Sequence, residues 1–284
     1  MATQLASGLG FTEGPVVLPD GRLVFCDCNK ADLWVYDDGS IERYGQTGGS
    51  PWGAVLGSDG AIYLTQGGNV PGSGDTSAIP GIQRVAEHGS ADLLRSEVEG
   101  VTIAAPNDLA FGPDGRLYFT DSGTEHDDRV ERPSPGRLFA ISRSGDQILL
   151  DLPEVYPNGI AFDAHGRLIW TESMSRRVRR MENESATTVC ELPEGYVPDG
   201  MAVAEDGRLF VCTTSSGGIT VISPDGEQLD QLELGEWPTN CAFAGSTLYA
   251  TCVRTPEIEA SERTGTLWRI ETDATGLELI AGRL

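Results

Sequence analysis

Basic side chains are scarce in this chain, and lysine is nearly absent: Lys30 stands alone among 284 residues. Twenty basic residues face 43 acidic ones, for a formal net charge of −23. Such a surface repels phosphate backbones, which argues against nucleic acid as a partner; its plainest consequence is solubility. No apolar run approaches membrane-spanning length, so no membrane partner is expected. No charged-then-apolar leader opens the sequence, and a cytoplasmic protein is expected. Neither a Gly-x-Ser-x-Gly elbow nor a phosphate-binding glycine loop is present, so serine hydrolase and nucleotide chemistry lack support. Only three histidines occur. His88 and His165 fall in or near turns and are expected to face solvent. His126 lies in a polar insertion, Thr124 to Arg129, near one end of the channel, where it would either touch substrate or belong to a mobile surface loop. The six cysteines imply no disulfide framework in a chain of this size, and helical periodicity is rare.

What the chain does have is repetition. Pro106 to Phe111, the turn Gly112-Pro113-Asp114-Gly115 and Arg116 to Thr120 form an apolar strand, a tight turn and a second strand. Asp-Gly between apolar runs is a strong hairpin signal, because glycine accepts the positive φ such turns need. The same pattern recurs at turn glycines 21, 60, 115, 166 and 207, which are 39, 55, 51 and 41 residues apart. A sixth, shorter copy runs from Cys241 to Leu248. This spacing predicts an all-β, six-bladed β-propeller with four-stranded antiparallel blades around a central channel, one domain over residues 1–284. Third and fourth strands are expected at Leu33 to Tyr36 and Ile41 to Tyr44, Arg137 to Ile141 and Gln147 to Leu150, and Ile219 to Ile222 and Gln228 to Leu232. Either Thr3 to Leu5 or Leu277 to Ala281 would close the ring. The column three residues after each second-strand Leu or Ile holds Cys26, Thr65, Thr120, Thr171, Cys212 and Thr251 and reads as a ring of small packing residues. The arginines at 176, 177, 179 and 180 read as a solvated outer strand.

Eight residues before each turn glycine stand Glu13, Trp52, Asn107, Asn158 and Asp199; Thr239 takes the sixth place. In a radial repeat these six slots ring one axis. Glu13, Asn158 and Asp199 offer only oxygen donors, which suit hard divalent cations: Ca²⁺ first, with Mg²⁺, Mn²⁺ or Zn²⁺ as alternatives. Three protein ligands would leave positions open for water and substrate. Trp52 and Thr239 would form the wall. Asp27, Gln66, Asp121 and Glu172, just past the second strands, would either orient the ligands or bond between blades. Mouth loops are expected at Gly67 to Pro80, Gly123 to Pro135 and Thr255 to Thr264, the first of them a candidate lid.

The motifs Thr12-Glu13-Gly14-Pro15, Pro106-Asn107-Asp108-Leu109, Tyr156-Pro157-Asn158-Gly159 and Pro198-Asp199-Gly200-Met201 resemble, in this order and over the full chain, the SMP-30/gluconolactonase/luciferin-regenerating-enzyme family. The resemblance implies that Glu13, Asn158 and Asp199 bind a divalent metal. It implies that Asn107 is a further ligand or a substrate contact, and that Asp199 is also general base or nucleophile. It implies a lactone, a small molecule, as substrate. The regucalcin-like branch carries a sugar-contacting arginine two residues before this asparagine; here that place is Ala105. Three alternatives stand beside a lactonase: a phosphotriesterase like the diisopropylfluorophosphatases, non-hydrolytic chemistry at the same metal, and a non-catalytic calcium-binding or partner-binding propeller. No feature of the sequence specifies an oligomeric state.

Overall fold

A computed structural model describes residues 1–70, 77–128, 130–131, 133–254 and 264–284. Parts of all three expected mouth loops, the candidate lid among them, lie outside the described residues. Six four-stranded antiparallel sheets are arranged as blades of a β-propeller. Their innermost strands are Thr12–Val17, Pro51–Leu56, Pro106–Phe111, Pro157–Phe162, Pro198–Val203 and Trp237–Ala244. Each pairs with the strand that follows its turn, as the hairpin signals predict. The third and fourth strands fall where expected: Asp32–Asp37 and Ser40–Gln46, Gly136–Ile141 and Gln147–Leu152, and Gly218–Ile222 and Gln228–Glu233.

Hydrophobic packing lies between blades. Six clusters of buried side chains each join two neighbours; Tyr118, Leu138 and Ala140 of the third blade, for example, pack on Ile160, Leu168 and Trp170 of the fourth. The ring closes through its first strand. Ala2–Leu9 adds to the outside of the last blade, pairing antiparallel with Thr264–Glu271, Ala2 opposite Ile270. The other candidate for closure, Leu277 to Ala281, runs elsewhere. It crosses the far end of the channel, where the Leu277 amide donates to Val203 O at 2.8 Å and the Ser58 amide donates to Gly282 O at 2.8 Å.

Inner strands begin with proline in four blades, a first-residue position where the missing N–H costs no ladder bond. In all six blades the pairing then slips at the same place. The shift falls between Glu13 and Val16, Pro51 and Ala54, Pro106 and Leu109, Pro157 and Ile160, Pro198 and Met201, and Pro238 and Asn240. These bulges coincide with the slots, and a bulge re-aims side chains that strict alternation would send to opposite faces.

The column of small residues at Cys26, Thr65 and their equivalents has a second role that packing alone does not require. A bulge frees the amide of the residue after the slot from the ladder, and the threonine hydroxyl accepts it. Thr65 accepts from the Gly53 amide at 2.9 Å and donates to Asn107 O in the next blade at 2.5 Å. Thr120 accepts from the Asp108 amide at 3.0 Å and donates to Asn158 O at 2.5 Å. Thr171 donates to Asp199 O at 2.8 Å. All six cysteines are buried and unpaired. The arginine-rich segment Arg177–Glu182 is the third of the four strands of its blade, and its arginines are bound by Glu191, Glu172 and Glu182.

Candidate functional site

The slots converge. Glu13, Trp52, Asn107, Asn158, Asp199 and Thr239 line one cavity of about 580 Å³ at the end of the channel where the inner strands start. His126 lines it too, its ring 6.0 Å from that of Tyr156. His88 and His165 are exposed.

Both amides are anchored by their nitrogens. Asn107 Nδ2 donates to Ser122 Oγ at 3.2 Å, and Ser122 donates to Pro157 O in the next blade at 2.9 Å. Asn158 Nδ2 donates to Ser173 Oγ at 3.2 Å, and Ser173 donates to Pro198 O at 2.7 Å. Asn158 also hydrogen-bonds Asp199. Spending the N–H groups this way leaves each Oδ1 as the atom for a ligand. Thr239 uses its hydroxyl on Thr12 O at 2.8 Å, so it serves as wall.

The carboxylates crowd one another. Glu13 is buried, accepts the Gly14 amide at 3.0 Å, and is pushed well above the usual carboxylate range by desolvation and by the charge of Asp199. Asp199, facing the cavity, is likewise raised, first by desolvation and then by Asp108. Carboxylates that raise one another in a water-poor site are unfavourable as bare anions and gain most from a cation or a proton. Two acids and two amide oxygens are the donor set of a hard divalent cation. Among the described residues no three acidic, histidine or cysteine side chains form a ready metal cage, so the amide oxygens would have to complete the set.

Asp108 is a residue the slot argument missed. It and Asn240 follow their slots, in a column that otherwise reads Gly14, Gly53, Gly159 and Gly200. A Cβ on Gly53 would strike the Asp108 side chain, and one on Gly200 would strike Asn240. Asp108 and Asn240 thus occupy the space that glycine leaves in the neighbouring blades. Asn240 hydrogen-bonds both Asp108 and Glu13. Burial pushes Asp108 up to about 6. The signal was the column itself, in which two polar residues interrupt four glycines.

Asp27, Gln66, Asp121 and Glu172 are buried, but their bonds go to the frame. Asp27 accepts the Gly10 amide at 2.9 Å, and Asp121 accepts the amides of Ala104, Ala105 and Gly123. Gln66 donates to Thr47 O, and Glu172 accepts from Trp170 Nε1 and Ser175. The side chains that do orient the amides, Ser122 and Ser173, stand one position later. Strand alternation explains the step, because residue 122 shares the face of Thr120 and residue 173 that of Thr171.

Residues 11–255 match the SMP-30/Gluconolactonase/LRE-like region. A gluconolactonase from Zymomonas mobilis subsp. mobilis is 26% identical over 285 residues, covering 86% of this chain and 77% of the relative. Protein STRICTOSIDINE SYNTHASE-LIKE 4 of Arabidopsis thaliana is 24% identical over 73% of this chain, which spans only 58% of that relative's length. The crystal structure of a calcium-binding protein, regucalcin, from Agrobacterium tumefaciens superposes with a TM-score of 0.78 at 16% identity, over 100% of this chain and 98% of that one. At that identity the likeness speaks for the fold.

Proposed function

The chain belongs to the SMP-30/gluconolactonase/LRE-like family, and from that premise we propose that it is a divalent-metal-dependent hydrolase of a lactone. The observation that carries the reading is the convergence of two mutually strained acids and two nitrogen-anchored amides on one open cavity. Glu13, Asn158 and Asp199 would hold the cation, Ca²⁺ foremost, with Asn107 as a further ligand or a substrate contact. When bound, the metal supplies Lewis-acid polarisation of the carbonyl.

The remaining work falls to side chains. Asp199 takes the proton of the attacking water, or attacks as nucleophile. Burial and the neighbouring Asp108 raise its proton affinity above that of an ordinary aspartate, which suits a base once the carboxyl is ionised. Asn107, fixed by Ser122, would offer its Oδ1 as a further ligand or a substrate contact, while Trp52, Thr239 and His126 wall the substrate.

The test is hydrolysis of a panel of γ- and δ-lactones by chelator-stripped protein with and without Ca²⁺, Mg²⁺, Mn²⁺ and Zn²⁺. Turnover should return with metal and fall about 10²–10⁴-fold in Asp199→Asn. Full turnover in that variant would remove Asp199 from the mechanism. An organophosphate triester in the same panel tests the phosphotriesterase alternative.

A further inference from the structure

Above its polar floor the cavity is walled by carbon. Phe11, Trp52, Tyr156, Met174, Val197 and Trp237 line it. Phe11 and Trp52 pack with ring centroids 5.5 Å apart, and Met174 is among the few large apolar side chains left exposed. Tyr156 is held at φ 54°, a conformation that few aromatic residues adopt.

The polar groups on the wall are mostly committed to backbone carbonyls. Ser173 donates to Pro198 O at 2.7 Å, Thr214 to Val197 O at 3.3 Å, Thr239 to Thr12 O at 2.8 Å and Cys28 to Pro51 O at 2.9 Å. Ser50 differs. Its backbone is pinned on both sides, the amide donating to Gly68 O at 2.7 Å and the carbonyl accepting the Gly67 amide at 2.8 Å. Among the described residues its hydroxyl, buried on the cavity wall, has no hydrogen-bond partner, and a buried hydroxyl without a partner is costly unless a ligand supplies one. Among the described residues no lysine or arginine lines the cavity.

We propose that this cavity selects a neutral lactone bearing an apolar alkyl or aryl substituent, held against the Trp52 and Trp237 walls, with the Ser50 hydroxyl donating to a substrate oxygen. The inference rests on the lactonase reading and specifies its substrate class. A polyhydroxylated lactone would bring several hydroxyls out of water against a wall on which the donors of Ser173, Thr214, Thr239 and Cys28 are already spent. Among the described residues an anionic lactone would find no lysine or arginine on the wall to pair with. An apolar substituent needs no partner, and each methylene it buries favours binding about fourfold.

The experiment compares kcat/KM for δ-decalactone, a phenyl-substituted δ-valerolactone and glucono-δ-lactone on the metal-loaded full-length chain. The apolar lactones should lead by about tenfold or more. Trp237→Ala should shrink that lead by raising KM for the apolar substrates alone, and Ser50→Ala should lower their kcat/KM about tenfold. Tryptophan emission, titrated in parallel with the non-hydrolysable alkyl lactam and with gluconolactam, reads binding without turnover. Saturable quenching by the alkyl lactam alone supports the proposal. Equal or better use of glucono-δ-lactone overturns it and leaves the hydrolase reading standing. Lactam binding with no lactone hydrolysed by any metal form does the reverse. No quenching by the alkyl lactam overturns the proposal whatever the turnover.

Discussion

Asp108 shows how much a single residue depends on what stands opposite it. Its carboxyl fits only because Gly53 has no side chain, and it adds negative charge beneath Glu13 and Asp199. All three acids titrate higher in the folded protein than in the unfolded chain, so the fold holds protons that unfolding releases. The stability they contribute is present below the ordinary carboxylate range and is lost as pH rises through the folded values, about 6 for Asp108 and about 8 for Asp199, with Glu13 raised as well. Chelator-treated protein should therefore lose several degrees of thermal midpoint as pH rises through that interval. Calcium should restore it, most at the alkaline end, where the cation takes the place of the missing protons. A midpoint that stays flat with chelator would mean that these carboxylates carry no such burden. Glu13, Asn158 and Asp199 were legible in the sequence because a turn glycine at a constant offset marks them. Asp108 stands at an equally constant offset from its turn, but its meaning lies in the column, where it interrupts the glycines of other blades.

At the scale of the strand, the recurring bulge does more than turn side chains inward. It frees one amide per blade, and the threonine column carries that amide's bond across to the next blade's slot carbonyl. Asn107, Asn158 and Asp199 are thereby each tied to the blade before. Thr120→Val keeps the volume but strands the Asp108 amide and Asn158 O, a loss of about 1–3 kcal/mol. A urea titration should show a lower midpoint at unchanged slope. It should also show weaker calcium binding, since Asn158 loses its tether; unchanged affinity would confine the threonine to packing. The hairpins were readable from Asp-Gly turns between apolar runs. The bulges left no such mark, and the ends of the second strands hide Ser122 and Ser173, which stand one step past Asp121 and Glu172 on the face of Thr120 and Thr171.

At the scale of the whole ring, six interfaces of similar construction share the burial, and one of them contains the seam. Leu5, Ala6 and Leu9 of the first strand pack with Leu23, Phe25 and Leu267. Deleting residues 2–9 removes this cover and bares the edge of Thr264–Glu271. The shortened protein should associate, seen as growth of the scattering signal at concentrations where the full chain is stable. A monomer of unchanged midpoint would show the seam to be dispensable. The number of blades was plain from repeat spacing. The path of Leu277 to Ala281 across the far end of the channel was not, because a segment held by scattered backbone bonds has no period to read.

The seam also sets an order in time. Ala2 pairs with Ile270 and Leu9 with Gly265, so the opening strand waits through synthesis of nearly the entire chain before its partner exists. Pairings this distant in sequence are slow to form. The earlier blades can stack on one another as they emerge, but the final blade cannot be completed until residues 264–271 have left the ribosome. Of the propeller's strands, the first to be made can pair only once the last has emerged.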